Sequence, residues 1–134
     1  MKRHHKTTSF NRVLGRFDVE SVLMHTDIAA TKRLYVINNK EYWVNMDSQR
    51  YVVFKKSIRC KSCGLEANEM RLERFGTDLD HPHFNLYFVD RDDKVVLFTK
   101  DHIVPRSRGG RDILANYQTM CLPCNEKKAD NYEQ

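Results

Sequence analysis

The sequence predicts an α+β fold, and three observations carry that expectation. Short runs of β-branched and aromatic residues alternate with Asn- and Asp-containing turns, as antiparallel strands require. Residues 124–132, at the other end of the chain, have a helical composition. Two Cys-x-x-Cys pairs, Cys60/Cys63 and Cys121/Cys124, can close on a single zinc ion, because that spacing turns both sulfurs of a tight knuckle the same way.

Taken in order, residues 1–16 are polar and basic with little periodicity, and predict a loose arm carrying Lys2, Arg3, Lys6, Arg12 and Arg16. Residues 17–57 predict a β-rich N-terminal extension. Within it, residues 34–37 lead through Asn38 and Asn39 into 42–46, and Asp47, Ser48 and Gln49 lead into a third strand at 51–54. Residues 18–30 fit a helix and a strand equally well. After the first cysteine pair, residues 65–75 are rich in Glu, Met, Leu and Arg and predict a short helix. Residues 84–89 and 94–99 then form a hairpin across the turn at 90–93, and the second strand runs on to Val104. A Gly-containing loop at 105–112, a short strand at 117–120 and the last helix complete a core spanning residues 58–134.

The chain's 134 residues suit one domain, or a core with a modest extension. No apolar run approaches the roughly 20 residues of a membrane helix. The basic start lacks the apolar segment of a signal peptide, so a cytoplasmic location is expected by default. Without a secretion signal, disulfides are the weaker reading of the four cysteines. Two independent thiol pairs or a redox motif compete with zinc, but a redox motif needs a βαβ unit that is absent. The gap between the pairs far exceeds that of a simple zinc ribbon, so zinc would clamp the ends of an inserted element. A net charge of +5 points towards a polyanionic partner without establishing one. Arg106, Arg108 and Arg111 crowd one loop close to the candidate chemistry.

Hydrolysis of a phosphodiester needs an activated water, a cation on the developing charge and help for the leaving oxygen. Asp101 offers a hard oxygen of the kind Mg²⁺ or Mn²⁺ prefers. The next residue, His102, points to the other side of a strand and suits a general base near neutral pH. Asn125, at the start of the last helix, can offer an amide oxygen to the same ion as Asp101. Asp101 and His102 alone would fit a structural hydrogen bond, Asn116 a turn and Asn125 a helix cap. His81 and His83 invite a metal reading, but loop histidines are far commoner than ligands.

The run Asp101-His-Ile-Val-Pro-Arg-Ser-Arg-Gly-Gly110, followed by Asn116, Cys121-Leu-Pro-Cys-Asn125 and Lys128, resembles the HNH endonuclease family. The resemblance spans about residues 58–130 and implies a ββα-metal core with a Cys₄ zinc knuckle. It also implies His102 as general base, Asp101 and Asn125 as ligands of a catalytic divalent cation, and Asn116 as the residue that orients His102 through the loop backbone. Asn125 stands where the family name implies His, making an H-N-N variant that should favour Mg²⁺ or Mn²⁺ over softer ions. DNA is the implied substrate, with Arg106, Arg108, Arg111 and Lys128 as candidate phosphate contacts. Small phage, homing and restriction nucleases carry comparable extensions, which leaves room for a homodimer or a larger DNA-processing complex. The alternative is a zinc-stabilised DNA-binding module without cleavage activity, which has no use for Asp101, His102 and Asn125. A protein–protein adaptor fits the size but explains none of the motif.

Overall fold

The computed structural model describes residues 11–27, 31–76 and 81–132. Its strands are β1 (Asn11–Phe17), β2 (Lys32–Ile37), β3 (Lys40–Asn45), β4 (Glu69–Phe75), β5 (His83–Val89), β6 (Val95–His102) and β7 (Tyr117–Cys121). The helices are α1 (Val19–Leu23), α2 (Gln49–Lys56) and α3 (Leu122–Tyr132). One antiparallel sheet runs β1-β4-β5-β6-β7, and β2 and β3 form a separate hairpin. The fold is α+β, as the sequence predicts.

Three local expectations need correction. Residues 51–54 belong to helix α2 and not to a third strand of a meander. Ser48 caps that helix by accepting from the Arg50 N–H at 3.3 Å, and Tyr51 and Phe54, one turn apart, are both buried. Residues 69–75 form strand β4 and not a helix. Met70 and Leu72 alternate into the core, and pairing with β1 and β5 on either side overrides the helical preference of Glu, Met, Leu and Arg. Residues 11–16 of the expected loose arm lie in β1, which pairs with β4 through a bulge between Val13 and Gly15. A bidentate pair from Arg16 to Glu69, at 2.8 and 2.9 Å, fastens this edge. Lys2, Arg3 and Lys6 lie outside the described residues.

The core draws on the helices, the hairpin and the sheet alike. Phe84 is wholly buried at its centre, with the rings of Phe17, Tyr35 and Tyr51 edge-on at 5.2–6.4 Å. Its backbone N–H donates to the Tyr51 hydroxyl at 2.9 Å, tying α2 to β5. The 83–89 and 95–102 strands form the expected hairpin, and the second runs on to His102. Strand β7 returns beside it in a register that sets Asp101 opposite Gln118 and His102 opposite Tyr117. Helix α3 follows β7 without a break, starts beside Phe98, where Cys121 pairs, and runs back along β6 so that Lys128 reaches Asp101 and the carbonyl of His102. No helix among the described residues is long and apolar enough to cross a membrane.

Candidate active site and metal centre

The four cysteines come together despite the long gap between their pairs. Their sulfurs all lie within 4.8 Å of one another, with Cys63 and Cys121 at 3.9 Å. A tetrahedral site with Zn–S bonds near 2.3 Å sets its sulfurs about 3.8 Å apart, so the cluster fits a zinc ion. The first knuckle is a tight turn in which the Gly64 N–H donates to the Cys60 carbonyl at 3.0 Å. Gly64 has φ 82°, a left-handed conformation that glycine adopts without strain. The Lys61 N–H donates to the Thr119 carbonyl, and the Thr119 hydroxyl donates to the Ser57 carbonyl, which docks this knuckle on β7. Burial would raise the Cys60 thiol. Backbone N–H groups of Cys63, Cys121 and Ser62 outweigh it and bring the thiol down to about 6. Burial pushes Cys121 up, and the nearby Cys60 sulfur adds to the rise. Four such thiols cannot all ionise without a cation among them.

On the other side of β7, Asp101, His102, Arg106, Asn125 and Lys128 line a cleft of about 470 Å³. Asp101 is 8% exposed. Its Oδ2 accepts from Gln118 Nε2 at 2.9 Å and from Lys128 Nζ at 2.7 Å, which leaves Oδ1 for the cleft. The Lys128 ammonium also donates to the carbonyls of His102 and Ile103. It therefore binds the strand end and α3 together over Asp101. Asn125 Nδ2 donates to the Thr99 hydroxyl at 2.9 Å, and that hydroxyl donates to the Met120 carbonyl, also at 2.9 Å. This relay fixes the amide's orientation and leaves Asn125 Oδ1 as a second oxygen donor. Two such hard oxygens suit Mg²⁺ or Mn²⁺.

His102 Nε2 lies 2.7 Å from Asp112 Oδ1, which also accepts from Arg106 Nε at 3.0 Å. The His102 and Arg106 hydrogen bonds hold the Asp112 carboxyl below its usual range. The imidazole packs edge-on against Tyr117, and the Lys100 ammonium sits 4.1 Å from the centre of the same ring. Burial lowers the Lys100 pKa.

The loop between β6 and β7 is folded by Asn116. Its Oδ1 accepts from the Val104 N–H at 2.9 Å, and its Nδ2 donates to the carbonyls of Val104 and Arg111 at 3.1 and 2.9 Å. Gly110 is obligatory here, because a Cβ would lie 1.7 Å from the Val104 carbonyl oxygen. Replacing Asn116 with Ala removes three hydrogen bonds worth about 0.5–1.5 kcal/mol each, less for their partial exposure. We expect the Val104 amide to lose hydrogen-exchange protection in Asn116→Ala, with activity falling about 10–100-fold. Unchanged protection would refute this role.

Asp101, His102 and Asn125 thus meet in one cleft, and Asn116 lies outside it, bonded to the loop backbone at Val104 and Arg111. Lys128 sits on Asp101, and Arg106 reaches Asp112. Arg108 and Arg111 are exposed on the same loop but do not line the cleft. Sequence reasoning did not single out Thr99, Gln118 or Asp112. Thr99 lies two residues before Asp101, on the same side of β6, so strand alternation was a usable signal for it. Gln118 and Asp112 depend on the β6–β7 register and the loop path, which no local pattern encodes. Among the described residues, neither His81 nor His83 belongs to a group that could share an ion. His83 begins β5 with its side chain exposed, and partial desolvation lowers its pKa. Residues 90–134 match the model of a family described as HNH endonuclease. Comparisons with curated proteins and with solved structures return no match.

Proposed function

We propose that the chain is a metal-dependent endonuclease that hydrolyses DNA phosphodiester bonds at the cleft beside β7. The observation that carries this reading is the convergence of Asp101, His102 and Asn125 on one cleft, within the stretch similar to HNH endonucleases. Asp101 and Asn125 would hold one divalent cation through their Oδ1 atoms, and it would supply positive charge to the phosphate oxygens in the transition state. Donation of His102 Nε2–H to Asp112 leaves Nδ1 with the lone pair that takes the proton of the attacking water. The new oxygen bonds to phosphorus as the bond to the 3′-oxygen breaks, giving a 5′-phosphate and a 3′-hydroxyl that takes its proton from solvent. Arg106, and with it the loop cations Arg108 and Arg111, offers phosphate affinity. The Cys₄ site is structural in this reading and takes no part in the chemistry.

The test is nicking of supercoiled plasmid in Mg²⁺ or Mn²⁺, with sequencing of the cut ends to report end chemistry and site preference. Salt-dependent DNA binding without nicking would favour the non-cleaving zinc module instead. Thr99 supplies a finer test. Thr99→Val keeps the side chain's shape but removes the hydroxyl that orients Asn125, and outer hydrogen bonds of this kind support metal affinity by about 10–100-fold. The Mg²⁺ concentration for half-maximal nicking should rise about tenfold, and Thr99→Ser should restore it. An unchanged Mg²⁺ requirement would remove Asn125 from the metal site.

A further inference from the structure

A second groove of about 360 Å³ opens on the zinc side of Lys128. Lys61 and Ser62 of the first knuckle line it, together with Lys127 and Lys128 of α3 and with Gln118 and Cys124. Lys128 lines both this groove and the reaction cleft, and Gln118 reaches from here to Asp101. The two hollows therefore adjoin, with the Asp101–Lys128 ion pair between them. No carboxylate is among the described residues that line the groove. Lys61 and Lys127 are exposed, and the Lys61 backbone is held to β7 by its N–H bond to Thr119 at 2.9 Å. The cations thus stand on rigid elements beside the cleft, on the opposite side of Lys128 from Arg106.

We propose that this groove is a second phosphate subsite, in which Lys61 and Lys127 take the DNA backbone next to the scissile phosphodiester. The zinc knuckle then does two things: it anchors α3, and it presents a backbone grip contiguous with the reaction cleft. A strand lying from Arg106 across Lys128 to Lys61 meets cations on both sides of Asp101 and His102, which fixes the register of cleavage. Such cations position the strand and read no base sequence. The ligand class, a DNA phosphate, rests on the nuclease reading given above.

A competing account starts from charge. Four thiolates on Zn²⁺ carry a net charge of −2, and nearby lysines could serve only to offset it. The two accounts separate cleanly by measurement. In a His102→Ala background, the affinity for a mixed-sequence 20-base-pair duplex is measured against NaCl by fluorescence anisotropy, and bound zinc is measured alongside. Each phosphate that the protein no longer neutralises flattens the log–log salt dependence by about 0.9. Lys61→Gln with Lys127→Gln should flatten it by about one to two, weaken binding equally on unrelated sequences and leave one zinc per chain. A methylphosphonate at the phosphate beside the cut site should weaken binding to the His102→Ala parent and have no further effect in the triple variant. An unchanged salt dependence, with or without loss of zinc, overturns the proposal. Plasmid nicking by the unsubstituted chain is assayed in parallel. A flattened slope in a chain that never nicks supports the groove and sinks the nuclease reading, whereas nicking with an unchanged slope does the reverse.

Discussion

Replacing His102 with alanine is expected to lower plasmid nicking by about 10²–10⁴-fold, the range for loss of a general base, while leaving the fold and the zinc content intact. The separation of activity from stability follows from what the imidazole touches. It lies at the end of β6, bonded to an exposed Asp112 and edge-on to Tyr117. An edge-on ring pair of this kind contributes about 0.5–1.5 kcal/mol. Asp112 keeps Arg106 as a partner, so no buried charge is stranded. Lys128 binds the carbonyl of His102 and not its ring, so the tie between β6 and α3 survives. The variant should therefore show a native circular dichroism spectrum, bind duplex DNA and retain zinc. Nicking at the parental rate would sink the mechanism. Loss of nicking together with loss of the fold would show that His102 is structural, contrary to its surroundings.

The parts of this protein that were legible in the sequence are those whose signal is local or strongly spaced. The hairpin of β5 and β6 announces itself by two strand-like runs around Asp90–Asp93, and the structure satisfies that turn through the Asp90 side chain. The cysteines were legible because tetrahedral zinc leaves few ways to use two Cys-x-x-Cys pairs. Asp101 and His102 stand side by side in the chain, and Asn125 follows the last cysteine directly, so the knuckle's own geometry delivers it to the cleft.

What was illegible depends on partners distant in sequence. Strand β4 is composed of good helix formers, and only the burial of Met70 and Leu72 between β1 and β5 makes it a strand. Helix α2 contains Tyr51, Val52 and Val53, which favour strands, but Ser48 starts a helix and Tyr51 and Phe54 bury on one face of it. Strand β1 hides its pattern behind Arg12 and Arg16, whose charges stay at the surface while Phe17 packs partly buried against the core. At the site, the carboxylate of Asp112 is ten residues from His102, and only the loop path set by Asn116 brings them within 2.7 Å. Long-range pairing decided the two strands, the cap and one-sided burial decided α2, and the loop path decided Asp112; in none did propensity alone decide.

Removing zinc is expected to abolish cleavage as completely as removing His102, by a different route. Helix α3 is 11 residues long, too short to be stable alone in water. Its described side chains give it little apolar anchorage, since Leu122 is only partly buried and Glu126, Lys127 and Ala129 are exposed. What holds it is the continuity with β7, the hydrogen bonds of Lys128, the bond from Asn125 to the Thr99 hydroxyl and the sulfurs of Cys121 and Cys124. Without zinc the sulfurs no longer bind the first knuckle to α3, and Asn125 and Lys128 lose their fixed positions over Asp101. Structural zinc contributes about 10–16 kcal/mol in isolated finger peptides, where nothing is preformed. Here the Lys61–Thr119 and Thr119–Ser57 bonds hold part of the site in advance, so only a fraction of that appears as folding stability. A loss of about 4 kcal/mol, at ~4 °C per kcal/mol for a chain of this size, lowers Tm by about 15 °C. Cys124→Ser should thus release zinc, melt at a lower temperature and fail to nick at any Mg²⁺ concentration. Zinc stripped from the unsubstituted chain and then restored should return activity, which Mg²⁺ alone cannot do. Full cleavage by a zinc-free chain would show that α3 holds its place unaided, and would leave the four cysteines without the structural role their geometry supports.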